Sequence, residues 1–571
     1  MDPLGTLSSL FRKTSHGNQV ILELDLDFAV LSSAPANPLE ALKLINAPTM
    51  RVLRDGLRQA AAEPSVLGLL VHIGTCQLTA AQCCELAELL AGFGEHKPVW
   101  AHTESFGEFG TALFPYLLAA HADQVWIQPS GECGLGGVRA QIVLLRGALD
   151  KLGVEPQFGQ RKEYKTAADT YAAHEISAAN TEMMQQITNS VTHWAVDTIA
   201  QRRGRTVEQV WASVDAGILT ADLAVQHGLV DRVGYRDEVY EAARAAWSGQ
   251  QANLRYVHRH AQSSMVRELV ESRTKPAIAV VEVRGAITTG RPQRQGSQPV
   301  AASSVVCSHL RAAAADESVK AVVLRVDSPG GSAVASDAIR REVLRLRASG
   351  RPVVACMADV AASGGYFVAM PANEIVAQPT TLTGSIGVLA GKFVMTELKQ
   401  KLGLVLADVT SGSWASFLSP NSRFTDEQWA ALDRRLDEIY ADFTGKAAAD
   451  RNMAIDVLEP LARGRVWTGA DARERGLVDH LGGMGLAVDR ACALAGVSTA
   501  DVAVRSASKL GFLTQFRPAE SSEHVAASVL LPGRRFDLDT AIEAVAAELG
   551  LAATGALSLP YRIELSTGLN G

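Results

Sequence analysis

The sequence predicts an α/β protein in which one strand-and-helix domain occurs twice in tandem. Three observations carry this. Short β-branched runs alternate with stretches of helical period along most of the chain. Anchor phrases of the first half return in the second. The two copies also hold complementary groups: the second has a glycine-framed serine, Ser363, that the first lacks, and the first has a lysine, Lys165, that the second lacks. Strand–helix alternation at this spacing means βαβ units and a mainly parallel sheet in each repeat.

The anchors align in order. Glu63-Pro-Ser-Val-Leu-Gly-Leu-Leu-Val reads against Glu317-Ser-Val-Lys-Ala-Val-Val-Leu, and Pro98-Val-Trp against Pro352-Val-Val. Gly228-Leu-Val-Asp231 reads against Gly476-Leu-Val-Asp479. Each repeat opens with a strand, Val20-Ile-Leu-Glu-Leu-Asp-Leu in the first and Ile278-Ala-Val-Val-Glu-Val in the second. Val322-Val-Leu-Arg-Val is followed by a helical pattern over Ala335 to Leu346, and Val353-Val-Ala-Cys-Met by a glycine turn and a helix from Tyr366 to Met370.

This divides the chain into a first repeat over 1–250, a linker with a bridging helix (Met265 to Glu271) over 251–275, a second repeat over 276–510, and a C-terminal extension over 511–571. The extension holds a predicted helix, Phe536 to Leu549, and a strand, Tyr561-Arg-Ile-Glu-Leu. The apolar-poor stretch Gly290 to Pro299 reads as a loop.

Bulk properties narrow the function classes. At 571 residues the chain exceeds what one core organises. A hydrophobic share of 47% with 20% charged residues is that of a globular protein, and a net charge of −7 gives no general pull toward nucleic acid. Seven cysteines, odd in number and without zinc-site spacing, read as buried reduced thiols. Met1 to Gln19 shows Arg12 and Lys13 with no apolar core behind them, and no run of about 18 uncharged apolar residues occurs. The expectation is a cytoplasmic or peripherally membrane-associated protein with no signal peptide or transmembrane segment.

The chemistry concentrates in the second repeat. Ala361-Ala-Ser363-Gly-Gly365 falls between a strand and a helix, the setting of a nucleophile elbow in which a tight turn exposes a hydroxyl. Ser328-Pro-Gly-Gly-Ser332 also follows a strand and opens a helix. It lacks the phosphate-loop pattern, so an oxyanion hole is the better use, with one N–H from Gly330 or Gly331 and another from Gly364. Thr383-Gly-Ser385-Ile-Gly387 is a third small-residue turn. His258, His260, His309 and His480 lie in no glycine-framed motif and read as packing or surface residues.

The base comes from comparing the repeats. An offset of 250 residues carries Leu152-Gly153 onto Leu402-Gly403 and Pro129 onto Pro379. On that offset Ser363 faces Leu113, Ser385 faces Leu135, and Lys165 faces Ala415; nearer the start of the repeats, the turn Ser328-Pro-Gly-Gly aligns with Thr75-Cys-Gln-Leu78. The first copy has lost the serine apparatus and the second has lost the lysine. A lysine base must have its pKa lowered from about 10.4 toward 7–8, which asks the site to disfavour the ammonium by roughly 3–5 kcal/mol. Burial supplies this, helped by Arg161 and Lys162 if they face inward.

Ser328-Pro-Gly-Gly331, Ala361-Ala-Ser-Gly-Gly-Tyr366, Pro371-Ala-Asn373, Leu382-Thr-Gly-Ser-Ile-Gly387 and Tyr164-Lys-Thr-Ala167 resemble the signal peptide peptidase A (protease IV) family in its long, duplicated form. The resemblance covers roughly residues 20–500. It implies two tandem ClpP/crotonase-like domains and a Ser–Lys dyad that cuts peptide bonds, with Ser363 as nucleophile, Lys165 as general base and Ser385 orienting the lysine. It further implies Gly330, Gly331 or Gly364 as oxyanion donors, a homo-tetramer, hydrophobic signal-peptide-like substrates, and no metal or organic cofactor. Asp327 stands where the resemblance implies asparagine. Two rival expectations share the fold: an acyl-CoA hydratase or thioesterase using the same oxyanion logic, and a non-catalytic peptide-binding scaffold.

Overall fold

Two parallel sheets of the same strand order organise the two repeats. The computed structural model describes residues 19–31, 47–247, 252–261, 275–291, 299–507 and 557–558. In the first sheet the order is Arg232–Val233, Gln124–Ile127, Val99–Thr103, Val66–His72, Val20–Asp25 and Asn253–Tyr256, all parallel. The second repeats it with His480–Leu481, Glu374–Ala377, Val353–Ala362, Val319–Ser328, Ala277–Arg284 and Ala503–Ser506. Each repeat adds a short antiparallel pair, Glu132–Gly134 with Ile218–Thr220 and Leu382–Gly384 with Val466–Thr468. The α/β duplication read from the sequence is therefore present strand for strand.

The copies also share individual hydrogen bonds. Tyr116 donates its hydroxyl to Leu229 O at 2.7 Å, and Tyr366 to Leu477 O at 3.0 Å. Asp231 accepts from the Val125 amide at 2.7 Å, and Asp479 from the Ile375 amide at 2.7 Å. Each carboxylate is also paired with an arginine, Arg203 or Arg451. These bonds tie the helix after the third strand to the returning chain.

The second sheet is apolar on both faces, as strands covered on two sides require. Ala279, Val281, Val322 and Leu324 pack against Val306, Leu310, Ile339 and Val343 of helices Ser303–Ala315 and Ala333–Ala348. The alternate residues Ile278, Val323, Val354 and Cys356 pack against Ala487, Val488 and Ala491 of helix Met484–Ala495. All seven cysteines are buried and none is in a disulfide.

Packing divides the chain differently from duplication at one segment. One compact unit comprises Met1–Arg139 and Thr192–Arg273; the other comprises Ala140–Val191 and Thr274–Glu564. Residues 140–191, first-repeat residues by sequence, thus belong to the second unit. The reason is hydrogen bonding: strand Glu155–Gln160 pairs antiparallel with Leu389–Val394, Gln186 reaches Asp471, and Ser190 lies 2.7 Å from the Thr468 hydroxyl. The expected helices at Met265 to Glu271 and Phe536 to Leu549, the strand at Tyr561 to Leu565, and most of the loop after Arg291 lie outside the described residues. Among the described residues no helix is long and apolar enough to cross a membrane.

The shared tyrosine bond gives a direct test of this framework. Tyr366→Phe should lower stability by about 1 kcal/mol, because the buried Leu477 carbonyl loses its hydroxyl donor. Urea unfolding of the variant against wild type measures it.

Candidate active site

Ser363 leaves strand Val353–Ala362 and precedes helix Gly364–Ala369 with φ +57° and ψ −114°, a conformation few non-glycine residues adopt. Its neighbours explain how the chain tolerates this. The Ser363 amide donates to Gly384 O at 2.9 Å, and the Phe367 amide closes the first helical turn onto Ser363 O at 2.9 Å. Gly365 has no room for a side chain, since a Cβ would lie 2.5 Å from Ser328 O. Strain of this kind costs about 1–3 kcal/mol and persists only where surrounding structure holds it.

The lysine arrives from the 140–191 segment, inside the same compact unit. Lys165 is 1% exposed, with its Nζ 2.8 Å from Ser363 Oγ, 2.9 Å from Ser385 Oγ and 3.2 Å from Ser385 O. A neutral amine has two hydrogens and one lone pair. If both hydrogens go to Ser385, the lone pair is left facing the Ser363 hydroxyl. Burial pushes the lysine down from 10.5 to about 7, so the neutral form is accessible near neutral pH.

Desolvation does this without the neighbouring cations. Arg161 faces away, pairing with Asp433 at 3.0 Å and Asp437 at 2.5 Å, and Lys162 pairs with Glu459. The inward-facing arrangement considered from sequence does not occur. Ser385 itself has φ +50° and is fixed by its amide, which donates to Arg465 O at 2.7 Å.

The three candidate oxyanion glycines are not equivalent. Gly330 N–H is taken by Ser328 Oγ at 3.1 Å. Gly364 opens its helix, so its amide has no intrahelical acceptor. The position of a Gly364 Cβ would be 3.1 Å from the Gly331 amide nitrogen, which places Gly331 and Gly364 close together beside the serine. Of the three glycines, Gly331 and Gly364 are the two whose amides are not taken by Ser328 Oγ. Residues 330–331 also pair antiparallel with 557–558, in the register Gly330↔Ser558 and Gly331↔Leu557.

The histidines stand elsewhere: the His258 ring stacks on Tyr256, His260 pairs with Glu63, and His480 pairs with Glu374. Sequence reasoning missed the turn Arg463-Gly464-Arg465, which backs onto Lys165 and Ser385. Its only signal is a glycine between two arginines, which reads as an ordinary turn.

A family model described as Peptidase family S49 matches residues 92–252 and 345–498. The chain is 30% identical over 450 residues to "Serine protease SPPA, chloroplastic" of Arabidopsis thaliana, covering 76% of this chain and 64% of that one. It is 32% identical over 411 residues to "Protease 4" of Salmonella typhi, covering 70% and 64%, and 30% identical over 453 residues to "Protease 4" of Haemophilus influenzae, covering 76% and 71%. The match thus spans under two thirds of the length of the first two. Among solved structures, a mutant ClpP1 from Listeria monocytogenes aligns over 38% of this chain and 95% of its own at 12% identity, with a TM-score of 0.24.

The buried amine has a stability signature. A lysine at about 7 when folded and at its ordinary 10.5 when unfolded imposes its full penalty below pH 7, and the penalty fades as pH rises to 10.5. Lys165→Met should therefore be more stable than wild type at pH 6, by up to roughly 4 kcal/mol, with the advantage shrinking toward high pH. Urea unfolding at pH 6, 8 and 10 reads this slope.

Proposed function

The chain belongs to peptidase family S49, and from that premise we propose that it is a serine endopeptidase working through a Ser363–Lys165 dyad. The observation that carries the reading is the buried Lys165 amine, 2.8 Å from the Ser363 hydroxyl, with Ser385 placed to accept both of its hydrogens.

In this mechanism Ser363 Oγ attacks the peptide carbonyl as its proton passes to Lys165 Nζ. The tetrahedral oxyanion is met by the amides of Gly331 and Gly364. The ammonium then gives its proton to the leaving amine, the C–N bond breaks, and an acyl ester remains on Ser363. Water attacks that ester, giving a proton to the neutral lysine, and the proton returns to Ser363 Oγ as the acid departs. Ser385 keeps the amine oriented through both halves.

The substrates we propose are extended, hydrophobic peptides, signal-peptide remnants among them. An antiparallel strand already lies along Gly330–Gly331, so this edge accepts an extended backbone. A homo-tetramer and peripheral membrane contact belong to the same proposal. They draw support from the exposed apolar residues Val405 (97%), Val409 (98%) and Leu418 of the second unit.

The wild-type protein should cleave an unfolded protein such as casein, and should react with a fluorophosphonate at Ser363. Ser363→Ala should abolish both, and Lys165→Ala should slow the labelling on the order of 10³-fold. The rate should rise through pH 7, where the lysine loses its proton, and level off by about pH 9. Absence of labelling would favour an acyl-CoA enzyme or a binding scaffold, and a flat profile would remove Lys165 as base.

A further inference from the structure

The segment that carries Lys165 is gripped by a turn that belongs to none of the motifs. Residues 163–165 and 463–465 meet along their length. Arg463 Nε and Nη2 donate to the two oxygens of Glu163 at 2.8 and 2.9 Å, and the Tyr164 amide donates to Arg463 O at 3.2 Å. The Arg465 guanidinium lies over the Tyr164 ring, 4.6 Å from its centroid, and pairs with Glu182, which also accepts from the Tyr164 hydroxyl.

Gly464 backs onto Lys165 itself. A Cβ at Gly464 would lie 2.5 Å from Lys165 N and Cβ and 2.6 Å from its Cα, and the glycine has φ +81°. Two constraints, contact and backbone conformation, thus both demand glycine. Across the amine stem, a Cβ at Gly387 would lie 3.1 Å from Lys165 Cδ.

The same turn also fixes the amine's other partner. Arg465 O accepts from the Ser385 amide at 2.7 Å, and the Gly464 amide donates to Ile386 O at 2.8 Å. One three-residue turn therefore sets the backbone of the lysine and the backbone of the serine that receives its hydrogens. Its two guanidiniums face Glu163, Glu459 and Glu182, so the turn brings two cations close to Lys165 while both are paired with carboxylates.

We infer that Arg463-Gly464-Arg465 is the positioning element of the dyad and that Gly464 is the residue that sets the Lys165 amine against Ser363. The inference rests on Lys165 being the base. The turn touches no reacting atom; it acts through Lys165 and Ser385. A side chain at 464 must push the lysine segment outward, and displacements of about 1 Å in such sites cost about 100-fold in rate.

The test is the pH dependence of fluorophosphonate labelling of Ser363 in full-length protein. Gly464→Ala, folded by circular dichroism, should label about 100-fold more slowly at pH 8. Its pH limb should move above that of wild type, because a displaced amine regains water and holds its proton longer. Labelling within twofold of wild type across pH 6–10 overturns the inference. If Gly464→Ala does not fold, a charge exchange decides: Arg463→Glu should slow labelling about tenfold, and adding Glu163→Arg should restore it. A double variant no faster than the single one also overturns it. Lys165→Ala separates the two readings: labelling at the wild-type rate removes the base itself, whereas a dead Lys165→Ala beside a normal Gly464→Ala removes only the positioning role.

Discussion

An amine held out of water against a serine hydroxyl is the constraint on which the rest of this site depends. A lysine in solvent is protonated at neutral pH and has no lone pair to offer. Lys165 is brought to about 7 by burial, so every wall of its cavity helps set how readily it loses its proton. Arg161 and Lys162, four and three residues before it, face carboxylates of their own. Dryness therefore depends on close backbone approach at glycines: Gly464 meets the Lys165 backbone and Gly387 its aliphatic stem, with no room for a side chain at either.

Close packing carries a backbone cost, and that cost is concentrated at the site. Ser363, Ser385 and Arg463 are non-glycine residues with positive φ, and Gly330, Gly331, Gly384 and Gly464 share that region. Three of these are pinned by a neighbour beside them: Ser363 by Gly384, Ser385 by Arg465, Gly330 by Ser328. Mutual support of this kind lets strain persist, because relaxing one residue breaks the hydrogen bond of another.

The duplication shows which parts of the fold can be kept without the chemistry. Both copies retain the tyrosine-to-carbonyl bond and the aspartate at the same sheet position. Leu113, facing Ser363 in the alignment, is an ordinary buried residue at the start of its helix. The sheet and its ties therefore stand independently of the strained elbow.

Much of this was legible in sequence because its physics is local. Strand, turn and helix around Ser363 follow from β-branched runs and glycines, and the lysine from the mismatch between copies. Three features were not legible, two fixed by contacts hundreds of residues apart and one by a side-chain bond whose direction the turn alone does not reveal. Arg161 turns toward Asp433, Gly330 gives its amide to Ser328 and so leaves Gly331 beside Gly364, and Gly464 meets Lys165 across 299 positions. The assignment of 140–191 to the second unit belongs with them. Repeat boundaries record how the chain was duplicated, whereas packing boundaries record where its hydrogen bonds go. That difference explains the opening asymmetry between the copies: the segment bearing Lys165 pairs with the unit bearing Ser363. Under the proposed mechanism, a base supplied along one chain meets its nucleophile at every protein concentration, which a base on a separate chain does not. On that reading, tandem duplication turns an encounter between two chains into a property of one, so that each copy can lack the group the other carries.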